Sequence, residues 1–203
     1  GLAVAFGSPE PGRLDAIFKK IEHRGPDVSG IYKNEKAIMA QNYLEADIPG
    51  ITGDDAVPAA GPSDNHLRIC YDGQMGNSRE MLRNFGLASG PFEEERLCLH
   101  LYKEYGSDMF QYLDDAIFAY VISDGKDLFA ARDVLGIKTL FYGRKNGRLY
   151  FASELKSLVE VTDDVHEFPP GNYMDESGEL VQYAELPRSQ PETIEDDLND
   201  IAA

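Results

Sequence analysis

The stretches singled out for chemistry are an amino end heading a buried strand, Asp72-Gly73 and the acidic run Glu93-Glu94-Glu95. Gly1-Leu2-Ala3-Val4-Ala5-Phe6 reads as a core strand that starts at the first residue. Chain ends fray unless something ties them down, so an amino group heading a core strand is expected inside a site. Asp72-Gly73 follows Leu67-Arg68-Ile69-Cys70-Tyr71 and reads as the turn ending that strand. Glu93-Glu94-Glu95 reads as the acidic first turn of a helix, where carboxylates meet the positive end of the helix dipole. His23-Arg24-Gly25-Pro26-Asp27 breaks a helix with Gly and Pro. Cys70 and Cys98 each sit in an apolar run. Buried free thiols are the preferred reading over a disulfide or metal pair, and a reducing cytoplasm fits. His66, His100 and His166 have no ligand spacing, so no metal site is expected.

The elements that must position these groups begin with the first strand and a turn at Ser8–Gly12. Leu14, Ile17, Phe18 and Ile21 then recur at i, i+3, i+4, i+7, a helix with one buried face. Residues 30–33 and 37–41 read as two strands joined through Asn34-Glu35, and residues 45–65 as a proline-bearing loop. Short helices are expected over 79–85 and 93–105, each stopped by a glycine. From residue 116 the pattern turns to β. Asp124-Gly125, Asn146-Gly147 and Ser177-Gly178 each separate two apolar runs as hairpin turns do. A short helix is expected over 153–159. The sum is an α+β domain of layered sheets and helices.

Composition excludes several classes. Of 203 residues, 19 are basic and 36 acidic, a net charge of -17. Residues 160–203 hold one base, Arg188, and 13 of the acids. Phosphate neutralisation needs Lys and Arg, so neither nucleic acid nor an anionic membrane is an expected partner. No apolar run approaches the length of a membrane span. Near the end, Ser189 and Glu192 have capping-box spacing, and Ile194, Leu198 and Ile201 follow at i, i+4, i+7. The pattern stops mid-course at Ala203, so further protein is expected beyond it. The expected division is a domain over 1–185 and a linker with the start of a helix over 186–203.

Several stretches, in order and at matching spacing, resemble the N-terminal glutamine amidotransferase domain of the asparagine synthetase family. They are the opening strand, His23–Asp27 with Gly30, Asp72-Gly73-Gln74-Met75-Gly76-Asn77, Ala131–Lys138, Phe151–Leu158 and Pro169-Pro170-Gly171. The resemblance implies a four-layer αββα N-terminal-nucleophile sandwich with two antiparallel sheets. It implies no cofactor in this domain, and ATP and Mg in an adjoining C-terminal synthetase domain. Its phosphate loop, Ser-Gly-Gly-x-Asp-Ser, is absent from this sequence. Partners compatible with the resemblance are that C-terminal domain, a second copy in a homodimer, and a small amino-acid-like ligand.

In such a domain a cysteine at the amino end attacks the glutamine amide, with its own α-amino group as base. An Asn and the following Gly N–H receive the oxyanion, an Arg clamps the substrate carboxylate, and an Asp pairs with its amino group. Carried over singly, the nucleophile position falls directly before Gly1, and the sequence as given supplies no catalytic residue there. The clamping Arg falls on Tyr43, followed by Leu44; a phenol cannot make the bidentate pair. The oxyanion Asn falls on Asp72, while its Gly is kept as Gly73. The amine-binding Asp falls on Glu94. His23, Arg24, Gly25, Pro26 and Asp27 correspond to the scaffold around the site. If ionised, Asp72 at 4 Å from an oxyanion would oppose it by about 4 kcal/mol at an effective dielectric of 20.

The expectation from these departures is a cytoplasmic glutaminase-type domain without glutamine hydrolysis, acting as scaffold or binding module for an ATP-dependent amide-forming domain. The alternative is an active glutaminase supplying ammonia for asparagine synthesis, its cysteine missing from the sequence as given. A third reading is a regulatory module that binds an amino acid in the old pocket.

Overall fold

The computed structural model describes residues 1–46, 48–51, 56–61 and 64–186. Strand β1 (Leu2–Phe6) is buried along its whole length. Successive side chains of a strand point to opposite faces. Leu2, Val4 and Phe6 enter a core shared with Cys70, Ala119 and Val121. Ala3 and Ala5 pack the other way, against Leu14, Ile17 and Ile21. A strand covered on both faces has to be apolar throughout, as this one is.

Leu14 and Ile17 lie on α1 (Pro11–Lys19), which a 3₁₀ turn at Glu22–Arg24 follows. Strands β2 (Val28–Lys33) and β3 (Ala37–Tyr43) form a hairpin that the Asn34 side chain ties, Oδ1 accepting the N–H groups of Lys36 and Ala37. The second sheet draws on β4 (Ala59–Gly61), β5 (Asp64–Met75), β6 (Ala116–Ser123) and β7 (Leu128–Arg132). Between β5 and β6 come α2 (Ser78–Phe85), α3 (Glu93–Tyr105) and a 3₁₀ turn over Gly106–Tyr112. After β7 follow β8 (Phe141–Lys145), β9 (Arg148–Ala152), α4 (Leu155–Leu158), β10 (Val165–Glu167), β11 (Asn172–Asp175) and β12 (Leu180–Gln182).

Among the described residues the strands make two six-stranded sheets, β10-β8-β9-β1-β3-β2 and β12-β11-β7-β6-β5-β4. Neighbouring strands in both run antiparallel. Leu82, Leu97 and Leu101 of α2 and α3 cover the outer face of the second sheet through Ile69, Phe118 and Ile122. Helix α1 and Leu158 of α4 cover the outer face of the first. The result is a four-layer αββα sandwich, in which each fully buried Leu or Ile contributes about 1.5–3 kcal/mol over its exposed state.

The three hairpins form where their turn residues indicated: β6–β7 closes at Ser123↔Leu128, β8–β9 at Lys145↔Arg148, and β11–β12 spans Ser177-Gly178. Other expectations are corrected. Asp72-Gly73 does not end its strand. β5 runs through both residues to Met75, because β6 offers a partner at every position down to Ala116. Part of the expected 45–65 loop is β4, bonded to β5 with a register shift between Ala60 and Gly61. Gly106 ends α3 but not helical backbone, which continues as the 3₁₀ turn. Strand β10 carried no periodic signal. The helix expected after Ser189 lies outside the described residues.

Candidate functional site

Strand β1 carries Gly1 to an open cleft of about 990 Å³, whose walls come from β3, β5, the first turn of α3 and the turn after β7. The Gly1 amino group donates to Asn42 O at 2.9 Å, and Asn42 N–H donates back to Gly1 O at 2.8 Å. The ladder with β3 therefore reaches the first residue. Burial pulls this amine down to about 6; the charges of Arg24 and Lys138 act in the same direction, and Asp72 opposes them.

Asp72 faces the amine from the middle of β5. Its Oδ2 accepts from Arg24 Nη2 at 2.9 Å and its Oδ1 from Lys138 Nζ at 2.9 Å. Burial pushes the carboxyl up, but the Lys138 hydrogen bond, the amino terminus and Arg24 outweigh it, and the net shift is downward. Asp72 is thus held as a carboxylate. The pairing extends outward, with Arg24 Nη1 3.6 Å from Glu154 Oε1, which also meets His23 Nε2 at 2.8 Å. Glu154 Oε2 in turn meets Lys156 Nζ at 2.8 Å.

Local backbone fixes both cations. A Cβ on Gly25 would lie 2.5 Å from Tyr43 N, so only glycine lets the His23–Asp27 segment lie this close to β3. Pro26 bridges to Tyr43, and Asp27 Oδ2 accepts the Glu45 N–H. The turn bearing Lys138 is built on Asp133, whose carboxylate accepts the N–H groups of Phe118, Ile137 and Lys138. Buried Arg132 binds the same turn through Lys138 O at 2.7 Å and Gly136 O at 2.8 Å.

On the opposite wall Tyr43 ends β3. Its ring meets Phe92 edge-on at 5.6 Å and joins a small cluster with Ile48 and Ala56. Burial raises its phenol well above the ordinary value, with Glu95 adding to the rise, so it stays neutral. Its hydroxyl and Asn42 Nδ2 are buried without a hydrogen-bond partner among the described residues. Glu94 is engaged on both oxygens, Oε2 by Tyr71 OH at 3.0 Å and Oε1 by Met75 N–H at 3.1 Å. Gly73 lies under the Tyr71 ring, where a Cβ would come within 2.4 Å of it.

This geometry can be set beside known proteins. Residues 1–191 match the glutamine amidotransferase domain family. The chain belongs to that family. Over 182 residues the amidotransferase domain is 32% identical to asparagine synthetase (glutamine-hydrolyzing) 2 of Oryza sativa subsp. japonica, covering 86% of this chain and 30% of that protein. Over 177 residues it is 32% identical to a probable asparagine synthetase (glutamine-hydrolyzing) of Dictyostelium discoideum, covering 83% and 31%. The chain therefore spans about 30% of the length of these curated relatives. Its fold is shared with the glutamine phosphoribosylpyrophosphate amidotransferase of B. subtilis, at a TM-score of 0.74 and 17% identity over 90% of this chain and 49% of that one. A class-II glutamine aminotransferase domain protein of Silicibacter pomeroyi gives 0.57 at 14% identity, covering 92% and 99%.

Within the amidotransferase domain the cleft gathers Gly1, His23, Arg24, Tyr43, Leu44, Asp72, Gly73 and Glu94, with Leu44 on its exposed rim. Gly25, Pro26 and Asp27 do not line it; they stand behind Arg24 and Tyr43. Cys70 and Cys98 are buried free thiols, and burial pushes both upward. The reading from sequence did not foresee that Arg24 and Lys138 share the charge of Asp72. Lys138 was missed as a site residue although it closes the Ala131–Lys138 stretch. Its signal was a lysine ending a turn whose other polar groups serve the backbone. Tyr71, Phe92 and Asn42 gave no signal, because nothing local places them on the cleft. Among the described residues no group of three or more His, Cys, Asp and Glu is arranged to hold a metal, and no helix is long and apolar enough to cross a membrane.

Proposed function

We propose that this amidotransferase domain does not hydrolyse glutamine, and that it serves as scaffold or binding module for an ATP-dependent amide-forming domain of the same polypeptide. The observation that carries the reading is Asp72, a carboxylate fixed by Arg24 and Lys138 beside Gly73 and the Gly1 amine. Oxyanion stabilisation needs donors aimed at the developing charge, and loss of one donor costs about 10²–10³ in rate. Here an acceptor occupies the donor's position, and the two nearest cations are already committed to it. Tyr43 supports the same reading: a neutral phenol packed on Phe92 offers no bidentate grip on a substrate carboxylate. Domain limits of 1–185 with a linker from 186, a cytoplasmic setting, and ATP with Mg confined to the adjoining domain belong to this proposal.

Ammonia release from glutamine by the native protein, carrying its natural amino end, tests it. The expected result is no release above the uncatalysed background, with amide formation by the full protein running on ammonium salts or a substrate amine.

One observation favours a second reading, an active glutaminase with a cysteine preceding Gly1. The ladder Gly1–Asn42 points the amino end into the cleft, so a residue joined ahead of Gly1 would enter it. Glutamine-dependent ammonia release with a thioester trapped on such a residue would establish that reading and overturn the first.

A further inference from the structure

The charge pairing around Asp72 continues to the protein surface through one oxygen. Glu154 Oε1 lies 2.8 Å from His23 Nε2 and 3.6 Å from Arg24 Nη1. Only the first is within hydrogen-bond reach. Glu154 Oε2 is taken by Lys156 Nζ at 2.8 Å. Burial pushes the Glu154 carboxyl up, but the hydrogen bonds from Lys156 and His23 outweigh it, so it stays a carboxylate. A carboxylate only accepts, so His23 Nε2 carries a proton in this contact, and protonation at Nδ1 is what adds charge. The ring is 55% exposed and open to protons from solvent.

Arg24 stands between two carboxylates, its Nη2 donating to Asp72 Oδ2 while its Nη1 is the atom near Glu154. Its Nε is buried and has no hydrogen-bond partner among the described residues, so no third bond fixes the guanidinium. The backbone beneath it is not free, because Gly25 lies hard against Asn42 and Tyr43. A change in the pull on either side therefore moves the side chain rather than the segment. A Cβ built on Gly1 would lie 3.0 Å from Arg24 Cδ, so that movement takes place against the head of β1, on the wall of the cleft.

Histidine is the side chain that changes charge between about pH 5 and 8. Charge-assisted hydrogen bonds are roughly twice as strong as neutral ones. A charged His23 satisfies Glu154 Oε1 and leaves Arg24 to Asp72. A neutral one holds that oxygen less firmly, and the pull of Glu154 on Arg24 grows. The other charged groups on the elements around His23 are Glu22 on its own turn, Lys19 and Lys20 on α1, Lys156 on α4, and Asp72, Lys138 and the Gly1 amine in the cleft. Lys20 is taken by Glu160, 3.2 Å away. Strand β3 contributes only Tyr43, a phenol kept neutral. Of these groups the amine shares the histidine range, burial lowering it to about 6.

We propose that His23 is the outer end of a proton-operated relay, His23–Glu154–Arg24–Asp72, which sets how much of the Asp72 charge is neutralised in the cleft. When His23 is charged, Arg24 stays on Asp72. When it is neutral, Arg24 is drawn to Glu154, and Lys138 is left as the cation on Asp72. The cleft is then more negative and holds a cationic ligand better. For this consequence the relay rests on the reading of the cleft as part of a binding module; the movement of charge rests on the geometry alone.

Aspartate labelled with carbon-13 at its side-chain carboxyl, incorporated into the full-length native protein, tests the relay by NMR. The Asp72 signal is assigned by its loss in Asp72→Asn, and the His23 ring is followed in the same samples from about pH 5 to 8. The expected result is a step in the Asp72 signal whose midpoint coincides with that of His23, and which is lost in both His23→Gln and Glu154→Gln. In Glu154→Gln the histidine still titrates, so a step persisting there at the new His23 midpoint reflects the direct field of the imidazolium and overturns the relay. A titration unchanged in His23→Gln belongs to the amino end and overturns it too, as does an Asp72 signal with no step. Coupling is reciprocal, so Asp72→Asn is expected to lower the proton affinity of His23 by about 1.4–5-fold, and by less in the Glu154→Gln background. An equal change in both backgrounds overturns the relay. Loss of the relay leaves the proposed function untouched, whereas ammonia release from glutamine by a protein that shows these steps overturns the proposed function alone.

Discussion

Lys138 Nζ lies 2.9 Å from Asp72 Oδ1, across 66 positions of sequence, while Arg24 takes the other carboxylate oxygen at the same distance. One acid thus ties the turn after β7 and the segment after α1 to the middle of β5. The three side chains are only 15–29% exposed, so the pairing is screened less than a surface bridge but not fully desolvated. Asp72→Asn keeps the shape and leaves two cations facing a neutral amide. It is expected to destabilise the fold by about 1–3 kcal/mol in urea unfolding at neutral pH. A double-mutant cycle with Lys138→Met should give a coupling of about 0.5–3 kcal/mol; additive effects would show that the bridge is idle.

The acid dependence follows from the same group. Its folded pKa lies below the unfolded value of 3.8, so the unfolded chain takes up the proton first. The stabilisation is fully present above roughly pH 5 and is lost as pH falls through 3.8 and then through the folded value. Stability curves of wild type and Asp72→Asn should therefore converge towards the acid end. A gap that stays constant down to acid unfolding would contradict the assignment.

Much of the fold was legible because its signals are local. The all-apolar run Leu2–Phe6 can only be a strand covered on both faces, and Asp124-Gly125 and Asn146-Gly147 dictate their hairpins. The site was legible through motif positions, which put Tyr43, Asp72 and Glu94 on one cleft. Its electrostatics were not. Whether Asp72 is bare or paired depends on Arg24 and Lys138, which reach it from 48 and 66 residues away. The end of β5 was misread for a similar reason: Asp72-Gly73 looks like a turn locally, and only the facing strand β6 keeps it extended.

Gly25 controls how closely Arg24 approaches the site. A methyl group there would sit 2.5 Å from Tyr43 N and 2.6 Å from Asn42 C, and backbone cannot yield as a side chain tip can. Gly25→Ala is expected to cost about 2–3 kcal/mol by overpacking. It should also move the chemical shifts of Asn42 and Tyr43 more than those of distant β11. A silent substitution would mean that the segment rides freely over β3.

Neither cysteine should behave as a nucleophile. Cys70 is wholly buried in β5, where its Sγ contacts Ala40 O at 3.6 Å, and Cys98 is on the core-facing side of α3. Burial raises both thiols, the amino terminus only partly offsetting this at Cys70. A thiol reagent should label the native protein at least ~10³-fold more slowly than the unfolded chain, at a rate set by opening. Fast labelling of one thiol under native conditions would refute its burial and restore it as a candidate for chemistry.

Gln41 performs a task that a strand would otherwise perform. Among the described residues β4 pairs with β5 only as far as Ala59↔Ile69, and Tyr71, two residues on, has no ladder partner on that side. The buried Gln41 amide fills the gap: its Oε1 accepts the Tyr71 N–H at 2.8 Å and its Nε2 donates to Tyr71 O. This also pins β3 of one sheet to β5 of the other, one residue before Asp72. Gln41→Leu matches the size but leaves two buried backbone groups unpaired, each costing about 1–3 kcal/mol. The expected loss is about 2–4 kcal/mol in unfolding free energy, with faster hydrogen exchange at the Tyr71 amide than at its neighbour Cys70. Unchanged Tyr71 exchange in a destabilised variant would show that the amide serves packing alone; with accelerated exchange, Gln41 is the brace that holds Asp72 in reach of both its cations.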